Sequence, residues 1–344
     1  MIRKIINLGP ILLLVACGVQ STPRPTPTPF SGTPRHIVID TDMGTDDRMA
    51  ILYLLNRPDV KIQAITVTGT GLAHAEPGAT NALGLTALAG QPDIPVADGR
   101  ETPLAGDHAF PPDWRTDADT LSGLRLPSNP NPISSQNAVE LLTSTIESSP
   151  VKVTILALGP LTNIAEMLQA RPSLKDNIEA VYIMGGAVAV EGNVASPYVG
   201  IANRYAEWNI YCDPNAARMV FESGLPITLV PLDATNHVPA TTRFYNRIKS
   251  DHSTPEATFV FDSLTQYKDL LNGSYYFWDP LAAVILTENS LATFETKTLT
   301  IIEQEGDDIG RTQVSENGAS IRVAVNADGE RFEQLFLDTL NAPG

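Results

Sequence analysis

Ile37-Val38-Ile39-Asp40-Thr41-Asp42-Met43-Gly44-Thr45-Asp46-Asp47-Arg48-Met49-Ala50-Ile51 is the stretch that decides the fold. Three β-branched residues, of the kind that fill a strand buried on both faces, run into four aspartates and a glycine turn, and apolar residues then return at helical spacing. A strand that passes through a polar turn into a helix is the repeating step of an α/β sheet. The same alternation continues along the chain. Further strands are expected near Lys61 to Thr68, Ile94 to Ala97, Val151 to Leu158, Ala180 to Met184 and Ile227 to Pro231, after the first at Ile37 to Asp40. Helices are expected at Asp47 to Asn56, Thr80 to Ala89, Asn137 to Glu147, Thr162 to Arg171, Pro214 to Glu222 and Pro280 to Glu288. Pro103 to Pro132 reads as a polar loop, and no internal repeat is evident. The fold class is therefore α/β: one domain with a mostly parallel open sheet flanked by helices. In such sheets ligands bind at the carboxyl ends of the strands, where the four aspartates lie.

One aspartate at the start of a helix is explained as a cap or by the helix dipole. Four are not. Asp40, Asp42, Asp46 and Asp47 at one strand end repel one another and call for a compensating cation, and an all-oxygen donor set selects a hard ion such as calcium or magnesium over zinc.

The 344 residues are 43% hydrophobic and 18% charged, the balance of a globular enzyme. A formal net charge of −16 at pH 7 repels phosphate backbones and anionic headgroups, which argues against nucleic acid as a partner and against electrostatic adsorption to membranes. The two cysteines are Cys17 and Cys212, and the first lies in an export signal, so the mature fold has no disulfide framework. Residues 1–17 read as that signal: Arg3 and Lys4 precede an apolar run, Ile11 to Ala16, too short to span a bilayer. Leu14-Val15-Ala16-Cys17 matches the bacterial lipobox, in which the cysteine thiol receives a lipid. Residues 18–34, rich in Ser, Thr, Pro and Gly, suit an extended tether, and 35–344 form the folded domain. The expected protein is exported and lipid-anchored through Cys17 to the bacterial cell membrane, facing outside. Its assembly as a homo-oligomer is left open.

Asp40-Thr-Asp-Met-Gly-Thr-Asp-Asp47 resembles the N-terminal signature of the inosine-uridine-preferring nucleoside hydrolase family. Ala157-Leu-Gly-Pro-Leu-Thr-Asn163, Met184-Gly-Gly, Glu207-Trp-Asn209 with Asp213-Pro214, and Trp278-Asp-Pro280 resemble its later motifs, in the same order. Together they span nearly the whole chain after the tether. The resemblance implies a nucleoside-hydrolase-like domain that cuts the N-glycosidic bond of ribonucleosides, with Ca2+ as cofactor and a small-molecule nucleoside as substrate. It implies that Asp42, Asp47, Asp279 and the backbone carbonyl of Leu158 hold the ion, and that Asp42 takes the proton of the attacking water. Asp46 would accept a hydrogen bond from a ribose hydroxyl, with Asp40 orienting the ligands. Asn193, Glu207 and Asn209 match positions around the 5′ and 3′ hydroxyls, and Met184 would pack on the sugar. An Asn after Gly192 is also a common turn residue, and a Met beside Gly-Gly is commonly core. Glu207 and Asn209 point to one face if their segment is extended.

Two departures from the family pattern matter. The best-known members carry a histidine where this chain has Trp278, and indole donates no acidic proton. Trp278 is similar to the purine-preferring branch, in which aromatic rings stack on the base and ease its protonation from solvent. Trp114 would supply the second face, with Phe110 as its competitor and a loop anchor as the alternative for Trp114. In Val67-Thr-Gly-Thr-Gly71, Thr70 or a neighbour stands where the family places an asparagine, and a hydroxyl offers no amide pair. His108 is a candidate replacement acid, or simply a solvated loop residue. Competing readings are a lipid-anchored nucleoside-binding protein without catalysis, and a metal phosphohydrolase, which would want a phosphate-gripping lysine.

Overall fold

A computed structural model describes residues 30–342, so the expected signal segment, Cys17 and most of the tether lie outside the described residues. Strands β1 (Arg35–Thr41), β2 (Val60–Val67), β3 (Val96–Asp98), β4 (Val153–Ala157), β5 (Ile178–Met184) and β6 (Ile227–Val230) are joined through helices, and β7 (Pro239–Thr241) pairs with β8 (Asn272–Tyr276) in a separate ribbon. The chain then adds β9 (Ala292–Ile301), β10 (Thr312–Val314) and β11 (Ala319–Ala327). The nine-stranded sheet has the order β10-β9-β11-β6-β5-β4-β1-β2-β3. From β3 to β11 every neighbour is parallel, while β9 runs antiparallel to both β11 and β10. The mostly parallel sheet is the expected one.

Parallel strands need both faces covered, and two apolar layers do this. One centres on the helices Thr45–Leu55, Ala75–Leu88 and Trp278–Thr287. The other contains Leu141, Leu142 and Ile164 with Val220 and Phe221. Thr45–Leu55 is buried at every position except Asp46, including the fully enclosed Arg48. It packs along Trp278–Thr287. That pairing brings together two helix N-termini, one carrying Asp46 and Asp47 and the other Asp279 in the first turn. Positive dipole ends facing a cluster of acids are favourable.

The structure departs from the sequence reading in places. Pro103 to Pro132 is not wholly loop: Pro112–Asp119 is a helix started by proline, followed by a short turn at Leu121–Gly123. Strands β9 and β11 were not expected, because Phe294-Glu-Thr-Lys-Thr298 is mostly charged and hydroxyl residues and Ile321-Arg-Val-Ala sets a charge among apolar ones. That pattern belongs to strands near the sheet margin rather than to the continuous apolar runs of its centre. No helix of the described residues is long and apolar enough to cross a membrane.

Candidate active site

At the carboxyl end of β1 the backbone turns sharply. Met43, not the adjacent Gly44, takes the left-handed conformation, with φ of 57° against −59° for Gly44. A non-glycine residue there is strained and must be held by its surroundings. Its N–H donates to Thr41 Oγ1 at 3.0 Å, its carbonyl accepts from Arg48 Nε at 3.3 Å, and the Thr41 hydroxyl in turn donates to Asp47. The turn aims Asp42, Asp46 and Asp47 into one cavity of about 520 Å³.

That cavity gathers the residues the sequence reading assigned to the ion, the sugar and the base, but not Asp40, Thr70 or His108. Asp42, Asp46, Asp47 and Asp279 line it together with Leu158, Met184, Asn193, Glu207, Asn209, Trp114 and Trp278. Carboxylate oxygens of Asp46, Asp47 and Asp279 lie within 4.8 Å of one another. Asp42 is not in that tightest trio: its Oδ2 accepts the Leu72 N–H at 2.9 Å, which turns it toward the loop after β2. Burial and the neighbouring acids hold the Asp42 and Asp279 carboxyls well above the ordinary range, and Asp46 rises to about 7 through burial and the charge of Asp47. Asp279 Oδ1 is buried without a hydrogen-bond partner among the described residues. Acids crowded this way, with an unsatisfied inward oxygen and only oxygen donors, fit a hard divalent cation.

Asp40 lies behind the cavity. Its Oδ1 accepts from Thr66 Oγ1 at 2.6 Å and from Asn163 Nδ2 at 2.8 Å, while burial lifts the carboxyl to about 7. Asn163 ends the Ala157-to-Asn163 motif, which thereby reaches the first one. Two glycines that the sequence reading did not single out shape the cradle of Asp42. A Cβ on Gly71 would lie 2.2 Å from Asp42 Oδ2, and one on Gly159 would lie 2.8 Å from Asp42 Cβ. The signal was present in Gly-Thr-Gly71 and Leu-Gly159-Pro, but only the packed structure shows what the missing side chains make room for.

The sugar-side residues carry structural duties as well. The Glu207-Asn209 segment is not extended: Glu207 caps the short helix Trp208–Cys212, Oε1 accepting from Asn209 N and Oε2 from Gly186 N and Ile210 N. Asn209 Nδ2 donates to the carbonyls of Leu158 (2.9 Å) and Met184 (3.2 Å), which fixes the Leu158 carbonyl that the family resemblance gives to the ion. Asn193 Oδ1 accepts from Trp208 N at 3.2 Å, so it does more than make a turn.

Two aromatic groups flank the cavity. Trp114 and Phe110 both pack with Trp208, at ring separations of 5.7 and 4.6 Å, so Trp114 and Phe110 belong to one wall rather than competing for it. Trp278 packs on Tyr275 at 5.1 Å, and Tyr275 stacks with Tyr267 at 5.6 Å. No ring contact joins the two groups among the described residues, and members of both line the cavity. Trp208, Tyr267, Tyr275 and Asp117 line the cavity and were not expected there. Thr70 and His108 do not line it. The Thr70 hydroxyl is buried in a chain linking Thr68 and Thr162, and the neighbour that reaches the cavity is Leu72. His108 packs on Tyr211 and meets Glu305 at 3.2 Å.

Comparison with known proteins finds relatives along most of the chain. The family model described as inosine-uridine preferring nucleoside hydrolase matches residues 37–334. The chain is 34% identical over 289 residues to uridine nucleosidase 1 of Arabidopsis thaliana, covering 82% of each protein. It is similar to a solved plant nucleoside hydrolase, with a TM-score of 0.80, 28% identity and coverage of 90% of this chain and 100% of that one. A purine-preferring ribonucleoside hydrolase from Gardnerella vaginalis gives a TM-score of 0.73 at 26% identity, covering 89% of this chain and 98% of that one.

Proposed function

The chain belongs to the inosine-uridine preferring nucleoside hydrolase family, and from that premise we propose that it hydrolyses ribonucleosides in a calcium-dependent reaction, favouring purine nucleosides. The observation that carries the reading is the convergence of Asp42, Asp46, Asp47 and Asp279, from the two ends of the domain, in the cavity that also holds Asn193, Glu207 and Asn209.

The ion's ligands in this reading are Asp42, Asp47, Asp279 and the Leu158 carbonyl. When bound, Ca2+ supplies a Lewis acid that makes water nucleophilic near neutral pH and orients vicinal ribose hydroxyls. Asp42 accepts the proton of the attacking water. Asp46 accepts a ribose hydroxyl, Asn193, Glu207 and Asn209 hold the remaining ones, and Met184 packs against the sugar. As the C–N bond stretches, positive charge grows on the ribose ring, and the surrounding carboxylates stabilise it. Trp278 and Trp114 offer aromatic surface to the base, which rewards the larger bicyclic ring. The uridine nucleosidase relative favours a second reading, in which pyrimidine nucleosides are the better substrates.

Product analysis decides between these. Incubation with inosine, guanosine, adenosine, uridine and cytidine should release free base and ribose, lose activity with a chelator and regain it with calcium. Intact nucleosides under all conditions would overturn the proposal, and faster uridine cleavage would select the pyrimidine reading. We also place the enzyme outside the cell on a lipid at Cys17. Cys17→Ala should then abolish lipid labelling and release the protein from membranes, and retention of the label would refute the anchor.

A further inference from the structure

The helix Pro112–Asp119 carries two cavity-lining residues three positions apart, Trp114 and Asp117, which therefore share a face. Asp117 stands in the last turn, where the helix dipole disfavours negative charge. The other acid there, Asp119, is matched by His74 at 2.7 Å, but Asp117 has no salt-bridge partner among the described residues. It is instead held by hydroxyls. Oδ2 accepts from Tyr267 Oη at 2.5 Å and from Ser122 Oγ at 2.9 Å, and the Tyr267 hydroxyl in turn accepts from Thr45 Oγ1 at 3.1 Å. Those hydroxyls come from three separate segments, so the carboxylate is fixed in orientation. Oδ1 makes no hydrogen bond to the described residues.

A pinned carboxylate with one open oxygen, on the same helix face as the ring that would cover the base, is an acceptor for an N–H. Every natural nucleobase presents one on its pairing edge. We propose that Asp117 is the residue that recognises the base, its Oδ1 accepting that N–H while Tyr267 and Ser122 hold Oδ2. This rests on the nucleoside hydrolase reading of the cavity. The role is in binding rather than in bond breaking: the departing base gains the electron pair of the C–N bond, and a nearby anion does nothing to stabilise that charge. Loss of Asp117 therefore weakens substrate binding and leaves the chemical step nearly unchanged.

The test is steady-state kinetics of the wild type, Asp117→Ala and Tyr267→Phe. Substrates are inosine and uridine, their N1-methyl and N3-methyl counterparts, and p-nitrophenyl riboside, whose leaving group has no N–H. A hydrogen bond to a charged group is worth about 1.5–3 kcal/mol, so Asp117→Ala should raise KM for inosine or uridine by about 10- to 150-fold with kcat nearly unchanged. The wild type should discriminate against the methylated nucleoside by a similar factor, and Asp117→Ala should not. Tyr267→Phe should raise KM by less. Turnover of p-nitrophenyl riboside should be the same in all three proteins, which reports an intact sugar site. An unchanged KM in Asp117→Ala, or a parallel loss on p-nitrophenyl riboside, would overturn the assignment. A wild type inert toward every riboside would overturn the hydrolase reading itself, and this proposal with it.

Discussion

Replacing Asp40 by asparagine should make the stability of the calcium-free protein less sensitive to pH, the variant gaining on the wild type as the pH rises. Asp40 is 1% exposed, accepts from Thr66 and Asn163 on Oδ1, and has a buried Oδ2 without a partner among the described residues. Its carboxyl sits at about 7 against an ordinary 3.8, chiefly because burial penalises the charged form. Because the folded-state value lies above the unfolded one, the native protein retains a proton that the unfolded chain has already lost. The contribution to stability is full below pH 3.8 and is lost as the pH rises through about 7. Between pH 5 and pH 8 that loss is about 2.6 kcal/mol for a single group with these two values. The amide of the variant cannot ionise, and any fixed cost of seating it is the same at both pH values. The stability of Asp40→Asn minus that of the wild type should therefore grow by about 2–3 kcal/mol over the interval, a large share of the roughly 5–15 kcal/mol that holds a domain folded. Urea unfolding in EDTA at several pH values measures it directly. Parallel pH profiles for the two proteins would refute the reasoning. So would an advantage for asparagine that shrinks toward pH 8.

Gly71→Ala forces a methyl into the 2.2 Å gap beside Asp42. Overpacking should cost about 1–3 kcal/mol of stability, and a displaced Asp42 should lower kcat about 100-fold, both checked by denaturation and initial rates. Calcium titration by calorimetry separates the two candidate ligand sets. Asp42→Ala should abolish binding if the family assignment holds, whereas retained binding in Asp42→Ala with loss in Asp46→Ala would favour the trio of Asp46, Asp47 and Asp279. Trp278→Ala should lower kcat/KM for inosine more than for uridine, since base–aromatic stacking is worth about 1–3 kcal/mol and grows with ring area. Equal losses on both nucleosides would remove the argument for purine preference.

The central sheet and the acidic motif were legible early because their signals are local. Ile37-Val-Ile39 and the runs near β4 and β5 are apolar in the way strands buried on both faces require, and the first two lead directly into helices. The sheet margin was harder to read, since β9 and β11 mix charged with apolar residues. Glu207 and Asn209 were expected to face the sugar from an extended segment, whereas in the folded chain Glu207 caps a helix and its oxygens accept from the Gly186, Asn209 and Ile210 N–H groups.

Residue order alone was enough to specify a mostly parallel α/β domain with an oxygen-rich acidic motif at a strand end, because periodicity and residue chemistry act over a few neighbouring residues. It took the packed molecule to settle that Met43 rather than Gly44 takes the strained turn, that Gly71 and Gly159 cradle Asp42, and that Asp117 is held by Tyr267 and Ser122. Most of these depend on contacts between residues far apart in the chain, and their packing fixes which atoms meet.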